Sequence, residues 1–129
     1  MTDDLRSLAH DIREAPKKAQ VEAVGVVRKG ALDVKNAWRD NAKATADQHA
    51  KAYPYSISFD MILGAALVGH IEAVIGPDKS KNQGPLGNLL EFGSPTSPPH
   101  NDGGRALDAE APQFEAALAK VALDALGWH

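Results

Sequence analysis

The residues best able to bind a metal or move a proton near neutral pH are five histidines, scattered as His10, His49, His70, His100 and His129. Zinc-binding histidines on a helix recur four residues apart, as in His-Glu-x-x-His, because that spacing turns both rings to one side. No pair here has it. His70 and Glu72 can share a strand face, and His100 stands two residues before Asp102, but two ligands do not make a site. Hydrogen-bonded or surface histidines are the expected outcome. The absence of cysteine removes disulfides, thiolate metal sites and cysteine nucleophiles together. Ser56, Ser58, Ser80, Ser94 and Ser97 lack the Gly-x-Ser-x-Gly setting of a nucleophile elbow. Asp102-Gly103-Gly104-Arg105 precedes a helical stretch, where backbone amides favour an anion, although a flexible turn explains the glycines more simply. No catalytic residue, metal or cofactor is expected.

Composition points the same way. The formal charge is −3, whereas proteins dedicated to nucleic acid carry a basic excess to neutralise phosphates. Lys79 and Lys81, beside Asn82 and Gln83, could make passing contact with DNA, but a solvated turn accounts for them. The strongly apolar run 61–68 is far short of the ~20 residues that span a bilayer. The opening Thr2-Asp3-Asp4 does not read as a signal peptide, so no membrane association is expected. With 129 residues, much alanine and seven aromatic side chains, the core should be thin, built from helix faces and completed against partners.

The elements follow from periodicity. Leu5, Leu8 and Ile12 fall at helical spacing, which predicts a short helix from Thr2 to about Glu14, with a kink or restart at Pro16. From Pro16 to about His49, Ala19, Ala23, Val27, Val34, Ala37 and Trp38 line one side of a long helix, weakened at Gly25 and Gly30. Tyr55–Met61 and His70–Gly76 alternate apolar and polar residues as strands do, the second ending at the Gly76-Pro77-Asp78 turn. Residues 79–104 are rich in Gly, Pro, Ser and Asn around one apolar island at Leu89-Leu90-Glu91-Phe92. Helical spacing then resumes from Ala106 to Leu126, with Asp108 and Glu110 in the first turns and Gly127 as a stop. The expected fold is a single α+β domain: a helical region over 1–50 packed on a small antiparallel sheet over 53–78, an extended loop over 79–105, and a C-terminal helix over 106–127.

One segment resembles a known family. Gly76-Pro77-Asp78, then Gly87-Asn88-Leu89-Leu90-Glu91-Phe92-Gly93-Ser94, then Pro98-Pro99-His100 and a terminal helix, is similar to the small head–tail joining proteins of long-tailed bacteriophages, also called neck or tail-completion proteins. Leu90-Glu91-Phe92-Gly93-Ser94 takes the place of that family's Val-Glu-Phe-Gly-Thr segment, and the Ala15-Pro16-Lys17-Lys18-Ala19 stretch is similar to its first helical region. Two features depart from the pattern. Residues 44–56 lack the family's Ala-Pro-x-Asp-Thr-Gly-x-Leu stretch, and Arg105-Ala106-Leu107 lacks the proline of its Arg-Pro-Ala-Leu.

The resemblance implies a non-enzymatic virion protein of the head–tail junction, made in the bacterial cytoplasm. It would assemble in several copies or a ring with connector, tail-terminator or tail-tube proteins. Partner contacts are expected at Leu89, Leu90, Glu91, Phe92 and Gly93, along Pro98 and Pro99, and at Trp128 near the C-terminus. A second reading, from Lys35-Asn36-Ala37-Trp38 at a helix centre, is a small helical secreted or effector-like binding module, which the alternating strands do not suit.

Overall fold

The structure is a computed structural model that describes residues 6–11, 17–45, 50–62, 70–78, 80–81, 84–95 and 98–125. It is α+β, with the order β1 (Arg6–Asp11), α1 (Lys17–Thr45), a 3-10 turn at Tyr53–Ser56, β2 (Ile57–Ile62), β3 (His70–Pro77), α2 (Gly84–Phe92) and α3 (Asp102–Ala125).

The long helix forms as its periodicity predicts. Ala19, Ala23, Val27, Val34 and Trp38 are all buried, joined by Ala31 and Ala42. Small residues along this stripe let α1 lie close to the sheet on one side and to α3 on the other. The two helices run antiparallel: Asn41, near the end of α1, donates to the Asp102 carbonyl at the start of α3 (2.9 Å), and Lys29 and Gly30 share a cleft with Phe114.

The sheet has the order β1-β3-β2, antiparallel throughout, with β3 in the centre. Ile57, Ile71, Ala73 and Ile75 are buried towards α1, and Phe59 and Met61 pack against the same core. On the opposite face Asp60 and Ile62 are exposed. Beyond β3, Asp78 closes the expected turn by accepting from the Ser80 amide (2.9 Å) and hydroxyl (2.6 Å), which hold its carboxyl below the usual range.

Three expectations are corrected. Residues 6–11 form a strand rather than part of a helix, pairing from Arg6↔Ile75 to Asp11↔His70. Six residues with apolar spacing suit either period, and the open edge of β3 decides the outcome. The 79–105 segment is not one extended loop, because α2 occupies its centre. Pro85 stands in the first turn of α2, where its missing amide hydrogen is harmless, and Gly93 follows the end with φ 79°, the left-handed stop that glycine takes freely. The last helix begins four residues early, at Asp102. The Pro16 restart and the segment joining β2 to β3 lie outside the described residues.

Trp38 fixes how closely α3 approaches α1. A Cβ placed on Gly103 would stand 2.6 Å from the indole ring, whereas one on Gly25 would meet nothing within 4 Å. Gly103→Ala should therefore destabilise the fold by about 1–3 kcal/mol through overpacking. Gly25→Ala should stabilise it by about 0.5–1 kcal/mol by favouring helix. Urea unfolding of the two variants checks this, and equal stabilities would contradict the close α1–α3 contact.

Candidate functional site

Two carboxylates, Glu91 and Asp102, are fully buried, each at 0% exposure. A buried charge is tolerated only when partners replace its lost hydration. Both carboxylates find those partners around the first turn of α3.

Glu91, near the end of α2, faces the α3 N-terminus. One oxygen accepts from the Gly103 amide at 2.9 Å and the other from the Gly104 amide at 3.0 Å. The same oxygen that meets Gly104 also accepts from Arg6 Nη2 at 3.1 Å and Nε at 3.3 Å. Arg6 extends the arrangement outwards: Nη2 donates to Asn101 Oδ1 at 3.0 Å, and the guanidinium lies 4.6 Å from the centre of the Phe92 ring. The loop back to α3 is secured by backbone bonds, His100 N to Leu90 O (2.7 Å) and Asn101 N to Glu91 O (3.1 Å). Asn101 takes φ 55°, a left-handed turn that asparagine tolerates, and delivers the chain into the helix.

The Asp102-Gly103-Gly104 stretch thus does present amides to an anion, and the anion is the chain's own Glu91. Helix N-terminal amides are unpaired within the helix and carry partial positive charge, so a carboxylate there satisfies both demands.

Asp102 is held from the other side. The Thr45 hydroxyl lies 3.0 and 2.9 Å from its two oxygens, Arg105 Nη2 donates to Oδ1 at 2.7 Å, and Tyr53 OH donates to Oδ2 at 3.2 Å. Tyr53 in turn accepts from Trp38 Nε1 at 3.0 Å. Burial, reinforced by the neighbouring carboxylates, pushes the Tyr53 hydroxyl well above its ordinary range, so it remains a proton donor. His100 Nδ1 is 3.2 Å from Thr45 Oγ1 and 3.6 Å from Asp102 Oδ2. The sequence neighbours His100 and Asp102 therefore do meet, inside a hydrogen-bonding network. Among the described residues no group of three or more His, Cys, Asp or Glu is placed to hold a metal ion.

The residues singled out for partner contact divide. Glu91 is corrected: it is sealed inside, so it ties α2, β1 and α3 together and does not meet a partner. Leu90 is half-buried against the core, Phe92 is half-buried beside Arg6, and Gly93 terminates α2. Pro98 and Pro99 are exposed on the loop before α3. Leu89 belongs to α2, with its side chain outside the description. Trp128, His49 and His129 lie outside the described residues, as do the side chains of His10 and His70. Lys81 is exposed, and Lys79 lies outside the described residues. Arg6 was missed by sequence reading, which placed it in a helix; the pairing of β1 alone brings it to Glu91.

Glu110, expected to serve the helix dipole, is instead buried against α1. It lines a cleft of about 570 Å³ between α1 and α3 together with Lys29 and Phe114. Burial first, and then the Asp33 carboxylate, raise its pKa, while Lys29 opposes the rise. Lys29 itself is 2.8 Å from Asp33.

Against protein-family models, curated proteins and solved structures, the chain finds no match in any of the three comparisons.

Glu91→Ala should lower unfolding free energy by about 3–5 kcal/mol, because Arg6 and two helix amides lose their common acceptor. Arg6→Ala should cost less, since the two amides keep theirs. A loss under about 1 kcal/mol for Glu91→Ala in urea unfolding would contradict the clamp. The raised pKa of Glu110 has a definite sign. The unfolded chain releases this proton first, so its contribution falls as pH rises from 4.5 towards the folded value and stays unfavourable above it. Glu110→Gln should therefore raise the melting temperature at pH 7 and leave it nearly unchanged at pH 4.

Proposed function

We propose that this chain is a non-catalytic structural component of the head–tail junction of a long-tailed bacteriophage, present in several copies. The observation that carries this reading is the coincidence between the family-like segment and the fastening of the fold. Glu91 is the acceptor for the α3 amides and Arg6, Phe92 lies beside the Arg6 guanidinium, and Gly93 takes the left-handed turn that ends α2. Each position in Glu-Phe-Gly therefore has a structural demand that its residue type meets. A motif of this kind marks an architecture rather than a reaction.

Two further features favour an assembly role. Charged groups near α3 are engaged with one another in the interior, whereas Val21, Leu32, Tyr55, Ile62 and Leu123 remain exposed on the surface. The loop before α3 presents Pro98 and Pro99 outwards, and prolines limit the entropy lost when such a loop is ordered by a neighbour. No helix among the described residues is long and apolar enough to cross a membrane. The three-stranded sheet does not suit the alternative of an all-helical binding module.

Deleting the gene from a phage that carries it should yield filled heads and finished tails that fail to join under electron microscopy. Supplying the chain in trans should restore infectivity, and mass spectrometry of purified virions should find several copies per particle. Normal joined particles from the deletion would overturn the proposal.

A further inference from the structure

Among the described residues three carboxyl groups are buried, and their surroundings differ. Glu91 and Asp102 each accept several hydrogen bonds from amides, hydroxyls and guanidinium groups. Glu110 is 8% exposed, and among the described residues no lysine or arginine forms an ion pair with it. Its hydrogen-bond partner is another carboxyl, Asp33 of α1, so the contact holds only while one of the two keeps a proton. Lys29 is nearby but is bound to Asp33 at 2.8 Å, with most of its side chain in solvent. A buried carboxyl beside a group of its own charge lacks a cation that the chain does not supply.

The cleft that Glu110 lines has the form of a small-ligand site. Its volume of about 570 Å³ falls within the range such sites occupy. On α3, residues 110, 114, 117, 121 and 124 follow one another by four, three, four and three. Glu110, Phe114, Ala117, Val121 and Asp124 therefore share the side turned to α1. From α1, Val26 stands between Glu22 and Lys29, and the floor is glycine at 25 and 30. A Cβ on Gly25 would meet nothing within 4 Å, so the space above it is open. The middle of the cleft is thus apolar, and Phe114 stands one helical turn from Glu110. With Asp33 included, four carboxyl groups and two lysines, Lys29 and Lys120, border it, and the balance is acidic.

We propose that this cleft binds a small organic cation, a primary ammonium on an apolar body, with Glu110 as its counter-ion and Val26, Phe114 and Val121 around the body. This role is separate from the head–tail reading. The incoming ammonium replaces the shared proton: it donates to the Glu110 carboxylate, the proton leaves to solvent, and two carboxylates are then balanced by two cations, the ligand and Lys29. An aromatic ring close to the charge adds its own attraction. An anion suits the site poorly, because Lys29 is already engaged by Asp33 and Lys120 shares the cleft with Glu22 and Asp124.

Titration of the full chain with 2-phenylethylammonium, followed by nuclear magnetic resonance, tests this. The Gly25 and Gly30 amides should shift and saturate in the millimolar range expected of so small a ligand. The uncharged 2-phenylethanol should bind on the order of tenfold more weakly, and 3-phenylpropionate more weakly still. Glu110→Gln should weaken ammonium binding on the order of tenfold or more and leave the alcohol unaffected. That variant is expected to be the more stable at pH 7, so its loss of binding is not a loss of fold. Because the bound cation needs Glu110 ionised, wild-type affinity should fall from pH 7 to pH 4, and it should fall less in Glu110→Gln. Gly25→Leu places a side chain in the open space and should abolish binding of every probe.

Equal affinities for the ammonium and the alcohol overturn the proposal, as does an unchanged affinity in Glu110→Gln or binding that survives Gly25→Leu. Tighter binding of the carboxylate overturns it in favour of an anion site. A capped lysine peptide that binds far more tightly than the free amine overturns the small-molecule occupant in favour of a partner's side chain. No saturable binding of any probe overturns it outright.

Discussion

A carboxylate buried at the start of a helix governs the architecture. Glu91 must replace its lost hydration, and the partners that do so come from residue 6 at one end of the chain and residues 103–104 near the other. Satisfying this one side chain requires β1 to run along β3 as far as Ile75, α2 to end at Phe92, and the following loop to return so that α3 begins beside it. Asp102 imposes a second condition on the same helical turn. It draws on Thr45 from the end of α1 and on Tyr53 from the turn before β2, while Tyr53 holds the Trp38 indole. The first turn of α3 is therefore gripped from two directions. Gly103, at the centre, is the residue type that lets the helix backbone approach Trp38 closely enough for both grips to hold.

What the sequence reveals of this depends on how far apart the interacting residues lie. The buried stripe of α1 is legible because Ala19, Ala23, Val27, Val34 and Trp38 repeat within one helix. The alternation through Ile57–Met61 and Ile71–Ile75 is legible for the same local reason. β1 is not, since Leu5, Leu8 and Ile12 suit a helix and only the unpaired edge of β3 turns residues 6–11 into a strand. α2 is hidden by a composition of Gly, Pro and Asn, although its boundary signals, Pro85 just inside and Gly93 just outside, are present in the sequence. The anion expected at Gly103-Gly104 has the right location and the wrong source, because nothing local reveals that a side chain 12 residues earlier returns to fill it.

The same interactions divide the molecule into a wired interior and a surface with simpler rules. The N-terminal turn of α3 is fixed by hydrogen bonds, and its partners are accounted for within the chain. Further along, the helix rests on Phe114, Leu118 and the cleft-lining Val121, and its outward side mixes Ala109, Ala116, Ala119 and Ala122 with Asp108, Glu115 and Lys120. Alanine serves a helix well without demanding burial, and the charged residues among the alanines keep this side wet around the exposed Leu123. The outer face of α1 is likewise uneven, with basic residues interleaved with an exposed valine and leucine. These features contribute little to the isolated fold, whose stability rests on the buried side of both helices.

The rigid attachment of α3 through Glu91 and Asp102 has a second consequence. The angle between the two long helices is set by the α1–α3 packing around Trp38 and Gly103, where the glycine admits the indole and the indole in turn donates to Tyr53. The outward sides of α1 and α3 are therefore held at one angle to each other, because the turn that anchors α3 has no slack to let the helix swing. The buried carboxylates thus fix the relation between two exposed surfaces without reaching either of them.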